Sequence, residues 1–432
     1  MKTKIQHLAL ALAFLFPILF ISACRDKVYE EVTYTANVPI YMSFNDFRNA
    51  VKRSQPKDLV NPGKIYFKNN YLFVNELNKG IHVIDNANPS SPQKITFIEI
   101  PGNADMAIRG NILYADSYID LVAIDITNPM ASIEIDRVPN AFPNVLPGFD
   151  ISYPVANFDL SKGVVVGWEV KQHTELIERG SYYGKNLVSF DGMGIARLGS
   201  LELSFSNSST SVGVSGSMAR FTIYSTFLYA LHNNSLKLFN IGSTPGIVKG
   251  NSVSLNRVVE TIFPLTDKLF LGTTTGMLVY SVANPATPTF VSAFNHINSC
   301  DPVVVEGNYA YVTLRSGTVC NGFTNQLDVI NISNINTPFL MKSYPFFNPH
   351  GLGIDNGILF ICDGDAGLKI FNASDPLTIH MNQIAYFQNI KAYDVIPLGG
   401  LLMLIGADGL YQYNYTNLSN LQLLSHIPVT RP

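Results

Sequence analysis

Twelve side chains of the kinds that bind or turn over polar ligands recur at similar places along this 432-residue chain: Asp105, Asp116, Tyr118, His232, His296, Asp301, Arg315, His350, Asp363, Asp365, Tyr393 and Asp408. Asp and His groups that converge within hydrogen-bond reach serve as general acid and base, so a hydrolase or lyase acting on glycans is one reading. Without that convergence the same set makes a binding surface. Asp is also a turn former, and a repeated turn repeats its Asp. Asp363-Gly-Asp365-Ala-Gly367 is part of a calcium-loop pattern, but the remaining ligands and the distal Glu are missing, so it reads as a turn. His296 and His350 stand at matching places in neighbouring units, but seven histidines beyond the leader are enough for such a match to arise by chance, so no metal is expected. Local enzyme signatures (GxSxG, HExxH, CxxCH, a phosphate-binding glycine loop) are absent, and no cofactor is expected.

The elements that must position these residues are short strands. Residues 355–376 (DNGILFICDGDAGLKIFNASDP) show the unit: Ile358–Cys362 reads as a strand buried on both sides, Gly364 and Gly367 supply a turn, and Leu368 to Phe371 forms a second strand. Asn372 and Asp375-Pro376 then stop the pairing. Near-copies occur at 70–89, 111–129, 227–241, 268–285, 308–334 and 401–417. The second strands begin about forty residues apart, for instance at Ile81 and Leu121 or at Leu327 and Leu368. Two further apolar segments per period make about four strands per unit, the spacing of a propeller.

In a four-stranded blade, the loop leading into the innermost strand and the loop joining the second and third strands share one face. The twelve residues above fall in those loops, which predicts a funnel-shaped ligand site. Hairpins placed at 65–74, 105–115, 158–167, 219–231, 260–272, 302–313, 351–362 and 393–405 give an all-β propeller of four-stranded antiparallel blades, eight in number. The ring closes on seven if the Ser/Gly-rich stretch 171–217 is wholly an insertion. Residues 421–427 are expected either as the last outer strand or as a partner of the N-terminal segment that closes the ring. Aromatic residues at 11% and charged residues at 14% fit blades buried on both faces.

The second strands read Ile81-His-Val-Ile-Asp85, Leu121-Val-Ala-Ile-Asp125, Leu327-Asp-Val-Ile-Asn331 and Leu368-Lys-Ile-Phe-Asn372, and in these the chain resembles the LVIVD-repeat family. The resemblance covers most of residues 64–424 and implies a β-propeller; it does not specify an activity.

The N-terminus reads differently. Lys2 and Lys4 precede an apolar run at 8–21, and Ile21-Ser-Ala-Cys24 matches a bacterial lipoprotein cleavage box, so residues 1–23 read as a signal peptide and the Cys24 thiol as the lipidation site. Residues 24–62 are expected to be a lipid-anchored tether, with a capped short helix from Ser43 to Val51, and residues 63–432 a single propeller domain with an insertion around 171–217. Without Lys2 and Lys4 the chain has 27 basic and 32 acidic side chains, a mild balance near −5 that argues against nucleic acid. An oxidising envelope would pair Cys300 with Cys320 and leave Cys362 as a buried strand residue. The combined expectation is an outer-membrane lipoprotein, on the periplasmic side or the cell surface. It would bind a protein, peptide or glycan at its loop-rich face without catalysis. The alternatives are the hydrolase or lyase above and a structural scaffold of an outer-membrane assembly, which would expose an apolar patch.

Overall fold

A computed structural model describes residues 29–178, 214–243, 246–295, 302–316 and 324–430. His296, Asp301, Cys300, Cys320 and Cys24 lie outside the described residues, as do the leader and most of the expected insertion. The chain divides into two compact units. The smaller includes residues 29–39, 150–158 and 169–178. There Asn37 bridges in parallel to Val155, its amide donates to the carbonyls of Asp150 and Tyr153 at 2.8 and 2.9 Å, and Tyr34 donates to Glu175 at 2.6 Å.

The larger unit holds seven four-stranded antiparallel blades in a ring. Blade 1 comprises Pro62–Lys68, Tyr71–Glu76, Gly80–Asp85 and Gln93–Glu99. Blade 2 comprises Met106–Arg109, Ile112–Ser117, Asp120–Asp125 and Ile133–Val138. The innermost strands of blades 3 to 7 are Phe221–Tyr224, Val259–Leu265, Val303–Glu306, Leu352–Asp355 and Ala392–Leu398, and their outermost strands are Val248–Ser254, Thr289–Asn295, Phe339–Pro345, Gln383–Phe387 and Gln422–Pro428.

The expected eighth hairpin, at 158–167, is not a blade. Val164–Glu178 is one long strand whose partner is Tyr29–Met42, and among the described residues the two form a two-stranded ribbon. Apolar alternation is the same in a ribbon and in a blade, so the count of eight becomes seven. The short helix spans Phe44–Arg48, with Ser43 Oγ accepting from the Asp46 N–H at 3.1 Å, and ends before Val51.

The repeat's last residue has a visible reason. The side chains of Asp85, Asp125, Asn240, Asn331, Asn372 and Asn414 each accept the backbone N–H two residues on, at 2.7 to 2.9 Å, and Ser281 stands at the same place in blade 4. This Asx turn ends the third strand and reverses the chain. In every blade the outer strand pair also carries a register shift, at Val83/Ile84 in blade 1 and Gln412/Tyr413 in blade 7. A bulge of this kind twists the exposed edge out of register with a foreign strand. At the start of the third strand Gly80 has φ +142°, and a Cβ there would lie 2.0 Å from the Ile98 carbonyl oxygen.

The ring closes by packing. Leu59, Ile65, Leu72 and Val74 meet Ile396, Met403, Ile405 and Leu410 in one apolar cluster. Buried Asn86 and Gln412 exchange two amide hydrogen bonds at 2.8 and 2.7 Å. Gln422–Pro428 is the outer strand of blade 7, and its continuation reaches the N-terminal segment, where Val429 bridges Leu59 and the Thr430 N–H donates to the Leu59 carbonyl at 2.7 Å.

Candidate functional site

Register across the blades shows which residues share a level on the channel wall. Aligning the innermost strand pairs places Lys64, Asp105, Arg220, Thr261, Pro302, Gly351 and Asp394 at one equivalent position. Lys64 donates to Asp105 at 2.6 Å, with both side chains at most 10% exposed. Asp105 also accepts the N–H groups of Met106 at 2.7 Å and Arg220 at 2.5 Å. Asp394 repeats this local bond, accepting from the Val395 N–H at 2.8 Å, while its second oxygen has no partner among the described residues. Burial pushes its carboxyl well above the ordinary range, and the Lys64 charge opposes that only in part. Gly351 leaves the room, since a Cβ there would sit 2.4 Å from an Asp394 oxygen.

The chain itself enters the channel. Val214–Ser215 pairs with the free inner edge of blade 1, opposite Phe67 and Tyr66. Two residues on, Ser217 Oγ accepts the N–H of Leu352 on the innermost strand of blade 6, at 3.1 Å. A segment that touches innermost strands of blades 1 and 6 lies on the channel wall. Nothing in the local pattern of residues 214–218 announces this, because its partners lie far off in the chain.

The expected site residues fall into two groups. Around blades 2 and 3, one Asp116 oxygen accepts from the Asn103 amide at 2.9 Å and from the N–H groups of Ala104 and Asp105 at 2.8 and 2.9 Å. Against those donors, burial still pushes the Asp116 carboxyl up to about 6. Tyr118 donates to the Val166 carbonyl at 3.0 Å, and burial raises its phenol to about 12. His232 lies 3.1 Å from the Pro143 carbonyl; burial, with Arg220 and Lys237, lowers its imidazole to about 4, so at neutral pH it is an uncharged N–H donor to that oxygen.

Around blades 5 to 7, Arg315 lies 2.8 Å from His350 Nδ1, the His350 carbonyl accepts from Thr313 Oγ1 at 2.6 Å, and the Tyr393 ring lies 5.2 Å from the imidazole. Burial and the guanidinium lower His350 to about 3. Asp363 is fully buried and accepts from the Phe347 and Asn348 N–H groups at 3.1 and 2.7 Å and from Lys369 at 2.6 Å. Asp365 makes an exposed pair with Lys391 at 2.9 Å, and Asp408 accepts from the Tyr411 hydroxyl. Among the described residues no group of three or more His, Cys, Asp or Glu side chains is placed to hold a metal ion. Cys362 is buried in its strand.

Size separates the two concave regions. The cleft lined by Asp105, Asp116, Tyr118, Arg220 and His232 encloses about 40 Å3, room for a water molecule and not for a ligand. The seam between blades 5 and 6 holds about 410 Å3, within the range of small-molecule sites. Tyr344, Phe346, Phe371, Lys342, Lys369 and His380 line it. Sequence reasoning passed over these residues because they lie on the third and outermost strands and the turns beside them; the signal was the aromatic cluster Tyr344-Pro-Phe346-Phe347 beside a lysine.

Comparison with known proteins agrees with the repeat. The family model of the LVIVD repeat matches residues 63–96, 101–139 and 299–345, so the chain carries LVIVD repeats in blades 1, 2 and 5. No curated protein matches the chain. Among solved structures, a protein from Lactobacillus plantarum is 10% identical with a TM-score of 0.52, covering 86% of this chain and 97% of that one. A functionally unknown protein from Desulfotomaculum acetoxidans is 8% identical over 75% of this chain and 80% of its own, with a TM-score of 0.45. The computationally designed Ika8 protein is 9% identical over 86% and 90%, at 0.48. At these identities the likeness concerns the fold alone.

Proposed function

We propose that this LVIVD-repeat propeller is a non-catalytic binding protein that engages a protein, peptide or glycan through its loop-rich face. One observation carries the reading: among the described residues Asp116, Asp363, His232 and His350 on that face are taken up in internal bonds, and the cleft beside Asp116 and His232 has the volume of a water molecule. Asp116 and Asp363 hold lead-in loops, His232 and His350 are neutral, and residues 214–217 bond to the innermost strands of blades 1 and 6. What such a face offers a partner is surface. Phe347, 65% exposed on the lead-in loop of blade 6, and the exposed Asp365–Lys391 pair are part of that surface.

On this reading a diacylglycerol on Cys24 holds the protein at the bacterial outer membrane, facing the periplasm or the cell surface. The apolar run, small residues and cysteine of the leader support it, and Cys24→Ser is expected to release the protein from the membrane fraction. The binding reading is tested by applying the full-length protein to peptide, protein and glycan arrays. Saturable capture that Phe347→Ser weakens is the expected result. Turnover of a glycan that is lost in Asp116→Asn or His350→Gln, with no capture, would replace binding by catalysis.

A further inference from the structure

One ion pair on the channel wall is set apart from the rest. Among the described residues, Lys64–Asp105 is the lysine–carboxylate pair in which both side chains are shut off from water, at 10% and 4% exposed. Lys369–Asp363 has the same 2.6 Å separation, but its lysine side chain is 18% exposed and lies beside the Phe346 and Tyr386 rings. In the other lysine pairs, such as Lys52–Glu99 and Lys391–Asp365, the lysine is at least 23% exposed.

Main-chain donors fix the Asp105 carboxylate. Its Oδ1 accepts the Met106 N–H at 2.7 Å, and its Oδ2 accepts the Arg220 N–H at 2.5 Å together with Lys64 Nζ at 2.6 Å. Asp394, at the equivalent position of blade 7, is pushed by burial well above the ordinary carboxylate range, so it competes only weakly for the Lys64 charge. Two charges taken out of water carry a desolvation cost that their attraction repays only in part. Conversion of the pair to a neutral amide removes that cost, and the nitrogen is already held against the carboxyl, as an intramolecular reaction requires.

We propose that Lys64 and Asp105 form a self-modification site, joined by an isopeptide bond between Lys64 Nζ and Asp105 Cγ that ties blade 1 to blade 2. The ion pair holds every atom of the amide plus one water. The ammonium passes a proton to Asp105 Oδ2, the amine nitrogen attacks Cγ, and the Nζ–Cγ bond forms as the Cγ–Oδ2 bond breaks. The nitrogen gives a second proton to the departing hydroxyl, which leaves as water. No electron changes hands and no co-reactant is consumed. The Met106 N–H stays on Oδ1, where negative charge gathers in the tetrahedral intermediate, and the Arg220 N–H faces the leaving oxygen. The bond goes beyond the binding reading and stands without it.

The test is made on the folded full-length protein, which is then denatured, digested with trypsin and read by mass spectrometry. The expected product is residues 58–68 (DLVNPGKIYFK) joined to residues 95–109 (ITFIEIPGNADMAIR), lighter than the two together by one water, with no cleavage after Lys64. Cleavage after Lys369, whose pair stays ionic, is the internal reference. Asp105→Asn is expected to give the same joined peptides, at the same mass, by loss of ammonia in place of water. Lys64→Arg, which keeps the charge, is expected to leave residues 95–109 linear. Linear peptides 58–64, 65–68 and 95–109 in full yield from the folded wild type overturn the proposal, and so do joined peptides in Lys64→Arg. The wild-type digest decides by itself, whether or not a variant folds.

Discussion

The seam that joins blade 7 to blade 1 and the seam between blades 5 and 6 are built on the same strand register and come out opposite. The first is dry: Leu72, Ile396, Met403 and Ile405 are fully buried, and the polar pair inside it, Asn86 with Gln412, satisfies itself. The second carries lysines, a histidine and tyrosine around open space. The difference shows a division of labour within one repeat. Residues that end strands and turn the chain are held nearly constant, whereas residues facing the next blade vary and decide whether a seam is sealed or leaves open space.

The contrast can be broken most severely at the closing seam. Met403→Ala there removes a fully buried side chain and is expected to cost about 3 kcal/mol in urea denaturation. Gln412→Ala strands the Asn86 amide in the interior and is expected to cost about 2 kcal/mol. The double change Asn86→Leu/Gln412→Leu should recover much of that, because no buried polar group is left unpaired. Phe346→Ala, on a half-buried wall of the groove, is expected to cost about 1 kcal/mol or less.

Acid sharpens the comparison from another side, because the amides of the closing seam do not titrate. His350, beside blade 6, has a folded-state value of about 3 against 6.5 when unfolded. The unfolded chain therefore takes the proton first, and stability falls as pH drops from 6.5 towards 3, by about 2 kcal/mol at pH 5 from this group alone. His232, lowered to about 4, acts in the same direction. Asp116, raised to about 6, acts in the opposite one, its contribution being complete below about 3.8 and lost as pH rises through 6. Stability curves of the wild type and His350→Gln separate these contributions. Between pH 7 and pH 5 the wild type is expected to lose about 2 kcal/mol more than the variant. The smallest effect is expected of Lys342→Met, at an exposed position, which should leave stability within about 0.5 kcal/mol.

Much of the frame was legible from residue types because its causes are local. The Asp or Asn that ends each LVIVD strand caps a turn two residues away, and the same chemistry recurs blade after blade. The blade count was less legible, since the alternation of Val164–Glu178 does not say whether two further strands flank it. At the candidate site, the loops bearing Asp116, His232, His350 and Asp363 followed from the repeat. Their internal satisfaction did not, because it depends on donors such as Asn103 and Arg315 whose orientation no spacing reveals. The groove was hidden for a third reason: a cavity is a property of two blades, and each of its walls alone reads as ordinary strand and turn.

The short segment that bonds to blades 1 and 6 has a consequence for how the ring comes apart. An open array of repeats behaves as a one-dimensional chain in which terminal units fray before central ones. Here residues 214–217 lead into blade 3 yet bond to blades 1 and 6, and Leu59 with Val429 joins the two ends of the series. The segment acts as a spoke across the circle, so no blade is terminal and the loss of one removes contacts from units on the far side. Denaturation is then expected as a single cooperative step rather than a staircase of separate blades.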